Sequence, residues 1–220
     1  LCLTPSRDGN DNLRAEGIPD ARVKLVGNVM VDTLLTLLRK ARDLGAPAAH
    51  GVAGAPYAFV TFHRPSNVDH PEVLGEILGA LNDLAAQMPV VFPIHPRTRQ
   101  RLTEFGLGAL ARRVTLLDPL SYLETISLVE QATIVLTDSG GLQEETTVLG
   151  VPCLTARANT ERPVTVTEGT NRLIPSKRDG INRAVAEVLT RRAEGAFHPG
   201  RPEGWDGRAG ERVIAALVAD

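Results

Sequence analysis

Thr133-Ile134-Val135-Leu136-Thr137-Asp138-Ser139-Gly140-Gly141-Leu142-Gln143-Glu144-Glu145 is the stretch that decides the fold. It reads as a buried strand ending at Thr137, a turn through Ser139-Gly140-Gly141, and a helix that begins at about Leu142 with Leu142, Thr146 and Leu149 on one face. The strand is too apolar to leave one face in water, which is the mark of a parallel sheet covered on both sides. The two glycines leave main-chain N–H groups uncovered at the positive end of the helix, a setting that suits a phosphate. A tight strand–helix turn with Ser139 as the N-cap explains the same residues.

The pattern repeats outward along the chain. Val23–Val26, Ala58–Phe62, Val90–Ile94, Val114–Leu117 and Pro152–Thr155 read as further strands. Between them lie amphipathic stripes: Val31, Leu34, Leu35 and Leu38; Leu74, Ile77, Leu78 and Leu81; and Ile181, Val185, Val188 and Leu189. Strands alternating with helices predict an α/β fold, a doubly wound parallel sheet with helices on both faces. The first 22 residues hold one short helical pattern around Leu13, and the Gly/Pro/Arg-rich stretch 195–210 leads into a last helix over Glu211–Ala219.

Composition narrows the function. With 220 residues and 43% apolar content the chain can bury a sizeable core. Twenty-four Lys and Arg against 26 Asp and Glu exclude a nucleic-acid binder driven by bulk positive charge. No apolar run approaches the ~20 residues of a membrane span. Two cysteines, Cys2 and Cys153, make no disulfide framework and fit a reducing, cytoplasmic setting. The first residue is Leu, so the chain is read as a fragment.

Two other strand ends carry polar groups. The strand Tyr57–Phe62 runs into His63-Arg64-Pro65-Ser66-Asn67. Histidine suits a site whose charge changes, and arginine offers a bidentate fork to phosphate. A helix cap by Ser66 or Asn67 accounts for those two residues but not for His63 and Arg64. One strand later Pro93-Ile94-His95-Pro96-Arg97 repeats the arrangement. No cluster with metal-ligand spacing accompanies His63 and His95, and no metal or cofactor is expected. Arg162 is placed either to close over a diphosphate or to form a surface pair with Glu161. Glu145, one turn into the helix, suits ribose hydroxyls better than phosphate. Asp138-Ser139-Gly140-Gly141 also resembles the nucleophile loop of trypsin-like proteases, but those domains are all-β and disulfide-bonded.

Taken together, Gly27-Asn28-Val29-Met30-Val31-Asp32, Thr61-Phe62-His63-Arg64-Pro65-Ser66-Asn67-Val68-Asp69, the run Thr137–Glu145, Thr160-Glu161-Arg162-Pro163, Gly169-Thr170-Asn171 and Trp205-Asp206-Gly207 resemble the bacterial non-hydrolysing UDP-N-acetylglucosamine 2-epimerases. The resemblance spans nearly the whole chain. It implies a GT-B fold, two Rossmann-like domains about a cleft, of which this chain supplies the C-terminal part: residues 1–22 a remnant of a truncated N-terminal domain, 23–198 the UDP-binding domain, 199–220 a crossing segment and helix. It implies inversion at C2 of UDP-GlcNAc by anti-elimination of UDP and re-addition. It places His63 by the diphosphate as the catalytic residue, Ser139, Gly140 and Gly141 in the cradle, Glu145 on the ribose, and Arg162 near the phosphates. The loop Pro119–Thr125, with Leu120 and Thr125, meets uracil, and Arg64 contributes to substrate binding. The implied partners are a UDP-sugar and, at full length, a second copy of the chain. The implied acid/base carboxylates lie in the N-terminal domain, so the 220 residues alone are expected to be inactive. The competing expectations are the nucleotide half of a GT-B glycosyltransferase and a non-catalytic UDP-sugar binding module.

Overall fold

The computed structural model describes residues 1–219. Six strands form one all-parallel sheet: β3 (Ala58–Thr61), β4 (Val90–Pro93), β5 (Thr115–Leu117), β6 (Ile134–Thr137), β7 (Cys153–Ala156) and β8 (Asn171–Ile174). Their order, β5-β4-β3-β6-β7-β8, steps outward one way from β3 and then the other way from β6. This is the doubly wound arrangement, and the order reverses between β3 and β6.

Alternation along the strands splits the core in two. Ala58 and Val60 of β3 join Phe92, Leu136 and Leu154 on one face, under the helices Pro71–Leu84 and Arg178–Ala193. Tyr57, Phe59, Val91, Val135 and Cys153 fill the other face with Leu128 and Leu142. Successive strand side chains point to opposite faces, so a run with both faces buried must be apolar throughout. A third cluster, with Val31 and Leu34 of the helix Val29–Asp43, Val148 and Trp205, is built on the second face.

Two strands went unread in the sequence. β8 opens on the polar pair Asn171-Arg172, and β1 (Cys2–Thr4) ends on Thr4 just before Pro5, so neither shows a sustained apolar run. β2 (Val23–Leu25) is a strand as expected, but it pairs with β1 in a separate two-stranded sheet. The remaining strands match the sequence reading to within a residue or two at their ends.

Candidate functional site

The register of the two central strands sets Thr61 of β3 beside Thr137 of β6. Their hydroxyls lie 2.8 Å apart. The chain therefore delivers His63 and Asp138 to the same place, the carboxyl ends of the strands at the point where the order reverses. Open α/β sheets bind ligands in that crevice. A cavity of about 440 Å³ opens there, lined by Thr61, His63, His95, Leu120, Thr125, Ser139, Gly141 and Glu145 among others.

Past β6 the helix Gly140–Leu149 begins directly after the turn. A Cβ at Gly140 or Gly141 would meet nothing within 4 Å, and neither glycine has a positive φ. The glycines are there for access rather than for an unusual backbone conformation. Amides of a first helical turn have no intrahelical acceptor, so this end is a cradle open to an anion. The structure refines the part assigned to Ser139. It sits at the N-cap position, but its hydroxyl makes no cap bond. Its own N–H is taken by Thr137 Oγ1 at 2.9 Å, leaving the Ser139 hydroxyl as what it can offer a ligand.

Asp138, which the sequence reading did not single out as a site residue, is fully buried behind the histidine. Its carboxylate accepts the main-chain N–H groups of His63 (3.0 Å) and Arg64 (2.9 Å) and the Asn67 side-chain amide (3.0 Å). His63 Nδ1 lies 2.9 Å from Asp138 Oδ1. Burial opposes the Asp138 charge, yet the hydrogen bonds from the His63 side chain, the Arg64 main chain and Asn67 outweigh it and hold the carboxyl below its usual range. Asn67 does not cap a helix; it bridges Asp138 and the carbonyl of Ala156 (3.0 Å).

Glu145 lines the cavity beside Tyr122. Burial lifts its carboxyl to about 7, with the neighbouring charge of Glu144 adding to the rise and the Tyr122 hydroxyl opposing it. Leu120 and Thr125 stand at the cavity wall from the segment that opens the helix Tyr122–Gln131, fixed by a Ser121–Glu124 capping box. His95 joins them, its ring centroid 5.8 Å from that of His63.

Two of the expected residues are placed elsewhere. Arg64 turns its Nε to the carbonyl of Asp138 (2.9 Å) and lines a second cavity of about 770 Å³ with Ser66, Arg157, Asn159 and Lys177. Arg162 lines neither of these two cavities and does not pair with the Glu161 carboxylate; its Nε is 2.6 Å from Oε1 of Glu144 and its Nη1 donates to the Glu161 main-chain carbonyl (3.0 Å), while the Glu161 carboxylate binds Arg157. Burial pushes the Glu144 carboxyl up, and Arg162 offsets part of that rise. Among the described residues no three His, Cys, Asp or Glu side chains converge as a metal site.

The fold and site define a Rossmann-like domain with an open helix start, a carboxylate-backed histidine and a polar crevice at the switch point of its sheet, where α/β domains of this class take their ligands. The sequence pattern of the UDP-N-acetylglucosamine 2-epimerase family matches residues 1–218, and the chain belongs to that family. It is 35% identical to the UDP-N-acetylglucosamine 2-epimerase of Methanocaldococcus jannaschii over 98% of this chain and 60% of that protein. It is 36% identical to the UDP-2,3-diacetamido-2,3-dideoxy-D-glucuronate 2-epimerase of Pseudomonas aeruginosa over 99% of this chain and 59% of that protein. The crystal structure of the M. jannaschii enzyme in complex with UDP-GlcNAc and UDP superimposes with a TM-score of 0.86 at 34% identity, covering 99% of this chain and 60% of that one. The sheet is that of a C-terminal Rossmann-like domain of a GT-B-type fold. The chain thus spans about 60% of the length of the relatives it matches.

Proposed function

We propose that this chain is the UDP-binding portion of a UDP-sugar 2-epimerase that inverts C2 of UDP-N-acetylglucosamine, by anti-elimination of UDP and re-addition to the resulting glycal. The observation that carries the reading is the uncovered start of the helix Gly140–Leu149 facing His63 across the cavity. Elimination places negative charge on the departing diphosphate, and catalysis follows where donors are aimed at that charge in advance. The amides of Gly140 and Gly141, the Ser139 hydroxyl and His63 are the donors of this chain. Glu145 would accept from the ribose hydroxyls. Leu120 and Thr125 would flank the uracil. Arg162 would reach the phosphates only by leaving Glu144, and Arg64 would serve the sugar side from the second cavity.

Calorimetric titration of the folded chain with UDP tests the reading; saturable binding supports it, and no heat above dilution refutes it. The sugar is tested on the full-length protein, by following UDP-GlcNAc and the diacetamido-glucuronate relative for C2 inversion. The two epimerases that this chain resembles act, by their names, on different sugars, and both names share the UDP handle and the C2 chemistry. The division into residues 1–22, 23–198 and 199–220 belongs to the same proposal. The packing of the helix Ala209–Val218 on Val29–Asp43 fits a closing segment, whereas the β1–β2 sheet joins residues 2–4 to 23–25 and so crosses the first boundary. Homodimerisation and a cytoplasmic location at full length belong to the proposal as well, the second resting on the reading of Cys2 and Cys153 as unpaired thiols. Sedimentation of the full-length protein tests the dimer. No helix among the described residues is long and apolar enough to cross a membrane.

A further inference from the structure

We propose that Asp138 is a positioning residue that fixes a proton on His63 Nδ1, so that His63 can donate to a diphosphate only from Nε2 and only as the imidazolium, and diphosphate binding takes up one proton at that atom. The inference rests on the reading of the cavity as a diphosphate site for its second half, and on geometry alone for its first.

The geometry is a matter of which atoms can donate. Every polar neighbour of the Asp138 carboxylate apart from the imidazole is a donor and nothing else: the His63 and Arg64 main-chain N–H groups and the Asn67 amide nitrogen. A protonated carboxyl could give its hydrogen only to His63 Nδ1, and the imidazole is much the stronger base, while the other partners all donate to the carboxylate. The carboxylate is therefore ionised and can only accept. His63 Nδ1, at 2.9 Å, must carry the hydrogen. That leaves Nε2, on the opposite edge of a ring that stands in the cavity wall, as the atom that faces a ligand. With Nδ1 already protonated, a neutral ring presents a bare lone pair at Nε2, which repels phosphate oxygens. The ring becomes a donor there by gaining a proton. The carboxylate behind it orients the ring and sets its tautomer, as the buried partner of a catalytic histidine commonly does.

The other ionisable groups facing His63 are Arg64 beside it on its own loop, His95 from the turn after β4, and Glu145 from the helix after β6. His95 Nδ1 accepts the Arg97 main-chain N–H at 3.2 Å, so the two histidines are held in opposite tautomers. Asp138 therefore acts on His63 through a bond that His95 lacks.

Long-range ¹H–¹⁵N correlation spectra of the ligand-free chain, at about pH 8 and above the ordinary histidine range, read the tautomer directly. The His63 signals are identified by their loss in His63→Gln. The expected wild-type pattern has a protonated Nδ1 and a bare Nε2; a protonated Nε2 with a bare Nδ1 overturns the proposal. Asp138→Asn is expected to shift His63 toward the Nε2–H form and, since a neutral ring then donates from Nε2, to lower the proton uptake on UDP binding; an unchanged tautomer in a folded variant overturns it. Should that variant not fold, the wild-type spectrum decides alone. Calorimetry with UDP in two buffers of different ionisation enthalpy then counts protons. The wild type is expected to take up about one more proton than His63→Gln, and equal uptake overturns the second half. Failure of UDP to bind at all sinks the diphosphate reading while the ligand-free spectrum still judges Asp138.

Discussion

A single methyl group separates folding from binding at the cradle. At Gly141 a Cβ enters open space, so Gly141→Ala should leave stability within about 0.5 kcal/mol of wild type by urea denaturation. The same methyl stands over the amides of the helix start, and UDP affinity should fall about tenfold, or 1.4 kcal/mol, by calorimetry. At Gly169 a Cβ would lie 2.5 Å from the carbonyl oxygen of Thr165, and Gly169→Ala should cost about 1–3 kcal/mol. Glu145 predicts a pH signature. Its carboxyl is lifted from 4.5 to about 7 by burial, so between those values the native state holds a proton that the unfolded chain has lost. Its contribution makes the fold less stable as pH rises through that window and then levels off. Glu145→Gln removes the slope, so the variant should gain stability over wild type from about pH 4.5 to about 7, read by denaturation across pH. The glycines and Glu145 were legible in the sequence because their chemistry is local to one turn.

At the scale of an element, the helix Gly140–Leu149 is tied to the segment that carries Arg162. Gln143 is fully buried; its amide donates to the carbonyl of Ser139 (3.0 Å), and its oxygen accepts from Thr160 (2.6 Å) and Asn171 (3.0 Å). Thr160 in turn accepts the Arg162 main-chain N–H (2.9 Å), and Thr165, bonded to Asn171, donates to the Arg162 carbonyl (2.7 Å). Buried networks of this kind are costly to break because each lost partner strands another. Gln143→Leu, close in volume, should cost about 2–3 kcal/mol. Amide exchange over residues 160–165 should rise while that of β3 stays slow; equal exchange in both proteins would contradict the tie. Nothing in the sequence marked Gln143, since a glutamine in a helix is ordinarily a solvated residue.

The whole molecule is closed by contacts between its two ends. Trp205 is buried against Val31, Leu34 and Val148, and its indole N–H donates to the carbonyl of Pro5 at 2.9 Å. Asp32 accepts the Ala209 and Gly210 N–H groups (3.1 and 2.7 Å), so the helix Val29–Asp43 caps the helix Ala209–Val218. Gly27, at φ +88°, passes so near Gly204 that a Cβ there would collide with its carbonyl oxygen. Trp205→Ala should therefore cost about 3–5 kcal/mol. The loss should register in one cooperative transition if the ends and the sheet fold as a unit, or in a separate early transition if they do not.

What the sequence determined by itself was everything with a short period. The apolar runs and stripes specified strands and helices, burial on both faces specified a parallel sheet, and Gly140-Gly141 after a strand specified an open helix start. Only the tertiary structure decided which of those strands would be neighbours. That choice set Asp138 behind His63, 75 residues away, paired Arg162 with Glu144 instead of the cavity, and sent β2 to β1. Side-chain periodicity records which face a residue buries. Pairing depends on strand order and register, and those are fixed by how the whole core packs.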